Sequence, residues 1–308
     1  TWETKITQAG QKAKAEAVEM GLNAEQQAEL ATANKAGEWK DMLVKNQLKY
    51  IALMRNTRNI CEQAPDCVDM LCEQLLNETA IRKSLVFPFQ LQTATRVALE
   101  ANLPRKVINA LCQATDLSVK NVPVFEGKTL ICLDDSGSMS SPIKSHKNDA
   151  GRSPMEIGSL FAATLFKANN ADLLMFSDNA RYVNYIPTDS VVSMAADMKK
   201  NARSCGTNFH SIFQAIGKAH YDRIIILSDM QGWMGGYTPV KDFNDWKARS
   251  GSNPFVYSFD LQGYGTLQLP EQNVFCLAGF SDKVFKVMAL LEQDRWALIN
   301  GIQSVTFE

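Results

Sequence analysis

The sequence predicts a helical arm followed by a doubly wound α/β domain on a mostly parallel sheet, with the change at residues 126–127. Two patterns carry this expectation. As far as about residue 120, strong helix formers and apolar residues at three- and four-residue spacing are punctuated by Pro65, Pro88 and Pro104. Beyond that point short apolar runs alternate with helical segments, an alternation that calls for a parallel sheet covered on both faces.

Composition sets the outer bounds. With 308 residues, 45% hydrophobic and 21% charged, the chain can bury one or two cores, which excludes disorder, collagen-like repeats and a disulfide-stapled miniature. The 32 Lys+Arg against 33 Asp+Glu leave a net charge of −1, so no global field draws the chain to nucleic acid or an anionic membrane. Any nucleic-acid surface is then a local patch.

In the first half, Thr4 to Asn34 reads as helix with one interruption at Gly21 and a thin apolar face, as suits a surface or partner-facing element. Trp39 to Cys61 reads as a further helix buried through Trp39, Met42, Leu43, Leu48, Ile51 and Leu53. After Pro65, residues Val68, Leu71, Cys72, Leu75 and Leu76 repeat with helical period. Glu78–Val86, Pro88–Ala101 and Pro104–Thr115 complete a series of short antiparallel helices without a strict repeat.

In the second half, strands are expected at Lys128–Asp134, Ala171–Ser177, Arg223–Ser228 and Asn253–Phe259. Helices are expected at Ser153–Ala168, Asp189–Lys200, Asn208–Ala219, Val240–Arg249 and Ser281–Gln293. In such a sheet, function sits at the carboxyl ends of the strands.

The seven cysteines have no CxxC pair and only three histidines to help them, a pattern of buried thiols in a reducing compartment rather than of zinc. Cys61, Cys67 and Cys72 are spaced for packing on helices. No stretch approaches the ~20 apolar residues of a membrane span, and the cytoplasm is the expected location.

The first strand ends in Leu133-Asp134-Asp135-Ser136-Gly137-Ser138-Met139. A carboxylate with hydroxyls two and four residues later can turn three oxygens toward one point, Gly137 easing the bend. Oxygen-only donors with room for water suit Mg²⁺, or another hard divalent cation. Asp135 reads as an accessory acid, either behind Asp134 or facing solvent. Cys205-Gly206-Thr207-Asn208 precedes a helix, and Ile224 to Asp229 is a buried strand ending in a carboxylate.

With these three elements in order, the chain from about residue 127 resembles the von Willebrand factor A domain and its metal-ion-dependent adhesion site. The resemblance implies metal ligands at Asp134, Ser136, Ser138, Thr207 and Asp229, some direct and others through water. The helical half adds Arg55-Asn56-x-Arg58-Asn59, then Ser84-x-x-x-Pro88-Phe89, then Lys106-Val-Ile-Asn-Ala-Leu running into Gly127-Lys128. In that order upstream of the metal motif, these resemble the TROVE module of Ro ribonucleoproteins, in a short form.

That resemblance implies a HEAT-like helical-repeat arm that binds small non-coding RNA and, in the family, a ring closed by the A domain. The arm here is much shorter than the family's, and a single chain of this length is not expected to close the ring. The arm's Lys and Arg nearly balance its acids, so RNA contact needs a segregated patch, for which Arg55, Arg58, Arg82, Lys83, Arg96, Arg105 and Lys106 are the candidates. The alternative is an ordinary solvated helix surface, with Arg55 or Arg58 tying helices together. Around the metal motif, Lys144, Lys147 and Arg152 in one loop and Trp233 and Tyr237 in another are candidates for a partner-binding rim.

The function expected is therefore an RNA-binding Ro-like protein whose A domain uses its cation to take an acidic group of a protein partner. The other reading is a non-enzymatic structural or assembly component, for example of a viral particle, working through protein–protein contact and a larger oligomer. Catalysis is not expected, because no nucleophile stands with a base and metal-bound serines are poor nucleophiles.

Overall fold

A computed structural model describes residues 1–143, 152–232, 239–265, 268–269, 273–278, 283–293 and 303. The chain divides into two compact units, Thr1–Asn121 and Val122–Glu308. Among the described residues no helix is long and apolar enough to cross a membrane.

The first unit is helical throughout: α1 (Trp2–Glu19), α2 (Ala24–Val44), α3 (Tyr50–Arg55), α4 (Thr57–Gln63), α5 (Val68–Leu75), α6 (Glu78–Ser84), α7 (Pro88–Glu100) and α8 (Arg105–Ser118). Local chemistry sets the boundaries. Asn23 and Gln26 form a reciprocal capping box that starts α2, Asn77 caps α6 by accepting from the Ala80 amide at 2.9 Å, and Pro88 opens α7. The helix expected over Trp39–Cys61 is three pieces. Its first part continues α2, Asn46 turns left-handed at φ 49°, and α3 and α4 then meet at Asn56. Asparagine tolerates that backbone region because its side chain can bond locally.

Leu43, Ile60, Leu71, Leu75, Ile81, Leu91, Val107 and Leu111 form the helical core, each fully buried. Trp39 lies beside them, and Trp2 stacks on it with centroids 6.0 Å apart. The thin face of α1 is explained by small residues: Gly10, Ala13 and Ala17 are its buried positions, and Ala31 is buried on α2. The Cys61 and Cys72 thiols pack against the core as half-buried groups, and burial pushes Cys61 up to about 11.

The second unit runs β1 (Thr129–Asp134), α9 (Pro154–Ala168), β2 (Ala171–Phe176), β3 (Ala180–Val183), α10 (Val191–Lys200), α11 (His210–Ala215), β4 (Arg223–Ser228), α12 (Val240–Ser250), β5 (Phe255–Asp260), β6 (Val274–Ala278) and α13 (Lys283–Gln293). Among the described residues these strands form one six-stranded sheet in the order β3-β2-β1-β4-β5-β6. All pairings are parallel except β2 with β3. β3 and β6 were not expected from sequence. Both are short edge strands whose residues are half-buried or exposed, and so lack a fully buried apolar run.

β1 and β4 are buried at every position, as central strands covered on both faces must be. Leu130, Cys132, Leu174, Ile224, Ile226 and Val256 face Ile212 and Phe213 of α11 and Phe243 and Trp246 of α12. On α9, Phe161 meets Phe259 of β5 and Phe285 of α13 at 5.9 and 5.8 Å. Arg223, buried at the start of β4, donates to Thr129 Oγ1 at 2.8 Å, pairs with Glu292 of α13 and lies 4.5 Å over the Phe125 ring. Residues Val122–Glu126 thereby belong to the second unit.

Candidate metal centre

Strand order locates the site. The chain leaves β1 toward β2 on one side and leaves β4 toward β5 on the other, so a crevice opens between the carboxyl ends of β1 and β4, at the topological switch point. Leu133 is in register with Leu227, which brings Asp134 and the Ser228-Asp229 pair to that crevice together.

Asp134 is fully buried. Its Oδ1 accepts the Ser136 amide at 2.9 Å and its Oδ2 accepts the Ser228 hydroxyl at 2.5 Å. Burial pushes this carboxyl up to about 7; the hydrogen bonds from Ser136 and Ser228 oppose the rise, and the nearby Asp229 adds to it. Ser136 Oγ lies 3.3 Å from Ser138 Oγ, so both hydroxyls of the motif are gathered beside Asp134. Asp229 is also fully buried. One oxygen accepts the Gln231 amide at 3.3 Å, while Oδ2 has no hydrogen-bond partner among the described residues.

Thr207 arrives on the segment before α11 and is 3% exposed. That segment is fastened to the β1 loop by the Gly137 amide on Cys205 O and the Ser204 amide on Asp135 O, both at 2.9 Å. A Cβ on Gly137 would stand 3.2 Å from Ser204 O, so the two loops approach too closely for a larger residue to sit easily there. Asp134, Ser136, Ser138 and Asp229 therefore stand at the carboxyl ends of β1 and β4, and the segment that carries Thr207 is bonded to the same β1 loop. Ser228 is an addition, legible only as the residue before Asp229.

Asp135 does not face solvent. It is fully buried and its Oδ2 takes Arg181 Nη2 at 2.7 Å and the Arg203 amide at 3.0 Å. Arg181 lies 46 residues away on β3, an element the sequence did not announce. Asp260, at the end of β5, gives both oxygens to its own chain: Gln262, Gly263 and Gly265 amides donate to it at 3.1, 2.7 and 2.7 Å.

The donor set fits a hard cation: two buried carboxylates, one with an unpartnered oxygen, and three hydroxyl side chains. Among the described residues no three His, Cys, Asp or Glu side chains form a metal cluster. Of the proposed rim, Arg152 is described, with its carbonyl accepting the Ile143 amide at 3.0 Å. Lys144, Lys147, Trp233 and Tyr237 lie outside the described residues.

The cations of the helical unit are spread over several settings. Arg55 and Arg58 line one groove of about 300 Å³ with Met54, Gln90, Val97 and Leu103. Lys83 lines another, with Tyr50 and Leu53. Arg58 pairs with Glu62 at 2.6 Å within α4 and so does not tie helices together; Arg96 pairs with Glu100 at 3.8 Å and Lys106 with Asp69 at 2.6 Å. Arg82 and Arg105 are exposed.

No family model matches the sequence, and no curated protein matches it. Among solved structures the chain is similar to the Ro (RSR) protein of Deinococcus radiodurans, with a TM-score of 0.65 and 18% identity over 92% of this chain and 62% of that one. The chain thus spans less than two thirds of that protein's length. Fainter likenesses, both at a TM-score of 0.35 and 14% identity, link it to an aerotolerance-related membrane protein of Bacteroides fragilis (54% of this chain, 96% of that one) and to proximal thread matrix protein 1 of the mussel byssus (66% and 57%). What the first likeness shows is a shared fold.

Proposed function

We propose that the chain is a short Ro-like RNA-binding protein whose sheet unit is a von Willebrand factor A domain holding a divalent cation, Mg²⁺ in the first instance. The observation that carries the metal reading is Asp229 Oδ2, a buried carboxylate oxygen with no hydrogen-bond partner among the described residues, near the buried Asp134 carboxyl. Two such groups are costly unless a cation joins them.

Asp134, Ser136, Ser138, Thr207 and Asp229 would hold the ion. When bound, it supplies an open coordination position for an acidic side chain of a protein partner. This chain's part is to fix the oxygens: Ser228 orients Asp134, and the loop bonds at Gly137 and Ser204 bring Thr207 into place. The RNA part of the reading is supported by the likeness to the Ro protein across both units, with the groove of Arg55 and Arg58 as the first contact to test.

Calorimetric titration of the purified chain with MgCl₂ alone should show saturable one-to-one binding that Asp229→Ala abolishes; no heat in the native chain would overturn the metal reading. Nucleic acid extracted from the same preparation and sequenced should yield a defined small RNA. The ion-paired state of Arg58, Arg96 and Lys106 favours one other reading, a structural assembly component. Nucleic-acid-free protein in a large Mg²⁺-dependent assembly would establish that instead.

A further inference from the structure

We propose that Asp135 and Arg181 are positioning residues that set where the Thr207 hydroxyl meets the cation site, an inference that rests on the metal reading above. Asp135 is joined to its surroundings through both backbone and side chain. Its amide donates to Phe176 O at 2.8 Å, its carbonyl accepts the Ser204 amide at 2.9 Å, and its Oδ2 accepts the Arg203 amide at 3.0 Å. Two successive amides of the segment leading to Thr207 therefore end on this one residue.

The residue so held is strained. Ser204 has φ 55°, a left-handed conformation that a serine adopts only when its surroundings impose it. The Arg203 amide on the carboxylate and the Ser204 amide on the carbonyl impose it here. Arg181 secures the same segment from the other side: Nη2 donates to Asp135 Oδ2 at 2.7 Å and to Asn201 O, just past α10, at 3.0 Å.

An ion pair between a buried carboxylate and a half-buried guanidinium adds little stability, because desolvation offsets most of the attraction. Its value here is geometric. A carboxylate can receive the Arg203 amide and the guanidinium at once, and Arg181 balances the added charge, so that among the described residues Asp134 and Asp229 are the two carboxyls of the crevice with no basic partner. Asp135 lies beside the motif without belonging to it, since only Asp134 has serines two and four residues ahead.

The test is a double-mutant cycle in the full chain, read by titration with MgCl₂. Asp135→Asn should weaken Mg²⁺ binding about 10- to 100-fold, the usual effect of losing an outer partner of a metal ligand. In a Thr207→Ala background the same change should cost less than about twofold, because the two residues act through one route. An Asp135→Asn/Arg181→Gln variant, which removes both charges of the pair, provides a folded alternative should the single change unfold the chain. In the metal-free chain, the amides of Arg203 and Ser204 should exchange with solvent faster in Asp135→Asn than in native protein. Native-like affinity, costs that simply add with Thr207→Ala, or unchanged exchange would overturn the inference. Absence of Mg²⁺ binding by the native chain would instead remove the metal reading, leaving the exchange measurement to decide whether Asp135 holds the loop.

Discussion

Asp134 sits where a negative charge is hardest to keep. Its folded-state pKa of about 7 lies above the ordinary value of 3.8, so the folded chain binds this proton more readily than the unfolded chain does. The stabilising contribution is complete below about 4 and lost as pH rises through about 7. Above that, the metal-free fold carries a buried anion at a cost. Asp134→Asn keeps an acceptor for the Ser136 amide and offers Ser228 a donor, so it should raise the melting temperature of metal-free protein at pH 8 by several degrees, since ~1 kcal/mol is worth about 2–4 °C in a unit of this size. The same variant should lose any rise in melting temperature on adding Mg²⁺. A lower melting temperature without metal would show that the charge is already compensated. Asp134 was legible because its partners are two and four residues away. For Asp135 the sequence left two positions open, behind Asp134 or facing solvent, because its partner is remote in sequence and on an edge strand, so spacing carries no trace of the pair.

Among the elements, α9 packs closely on the sheet at Gly158. A Cβ on Gly158 would lie 2.8 Å from Leu133 Cδ1 and 3.2 Å from Leu261 Cδ1, with Met139 Cε at 3.7 Å. Leu133 immediately precedes Asp134, and Met139 immediately follows Ser138. Gly158→Val should therefore destabilise the sheet unit by about 1–3 kcal/mol in urea titrations and weaken Mg²⁺ binding as well. Full stability would mean that the leucine ends move aside freely. Elements with a long uniform pattern were readable: the fully buried runs of β1 and β4 and the periodic α5, α7 and α8 lie within a few residues of expectation. The breaks were not, because Asn46 and Asn56 divide Trp39–Cys61 without a proline or glycine to mark them. Edge strands β3 and β6 gain their pairing from a single neighbour each, and a half-buried strand leaves a fainter pattern in sequence.

At the scale of the molecule, two units with separate cores should unfold as separate events. The metal reading places every ligand in the second unit, so Mg²⁺ at about 100 times its dissociation constant should stabilise that transition by roughly 2.7 kcal/mol and leave the helical one where it was. Calorimetric scans with and without Mg²⁺ would show this; equal shifts in both would contradict it.

The end of β5 bears on how ligands approach. Asp134, Asp229 and Asp260 stand along one rim of the sheet, and Asp260 is quenched by three amide dipoles of its own loop. On the metal reading, Asp134 and Asp229 are the carboxyls left to act at the crevice between β1 and β4, where they favour a small cation over a polyanion. A phosphate backbone or an acidic peptide meets that rim as a like charge until a cation is seated. On the metal reading, the order of arrival at this edge is cation first, anionic guest second.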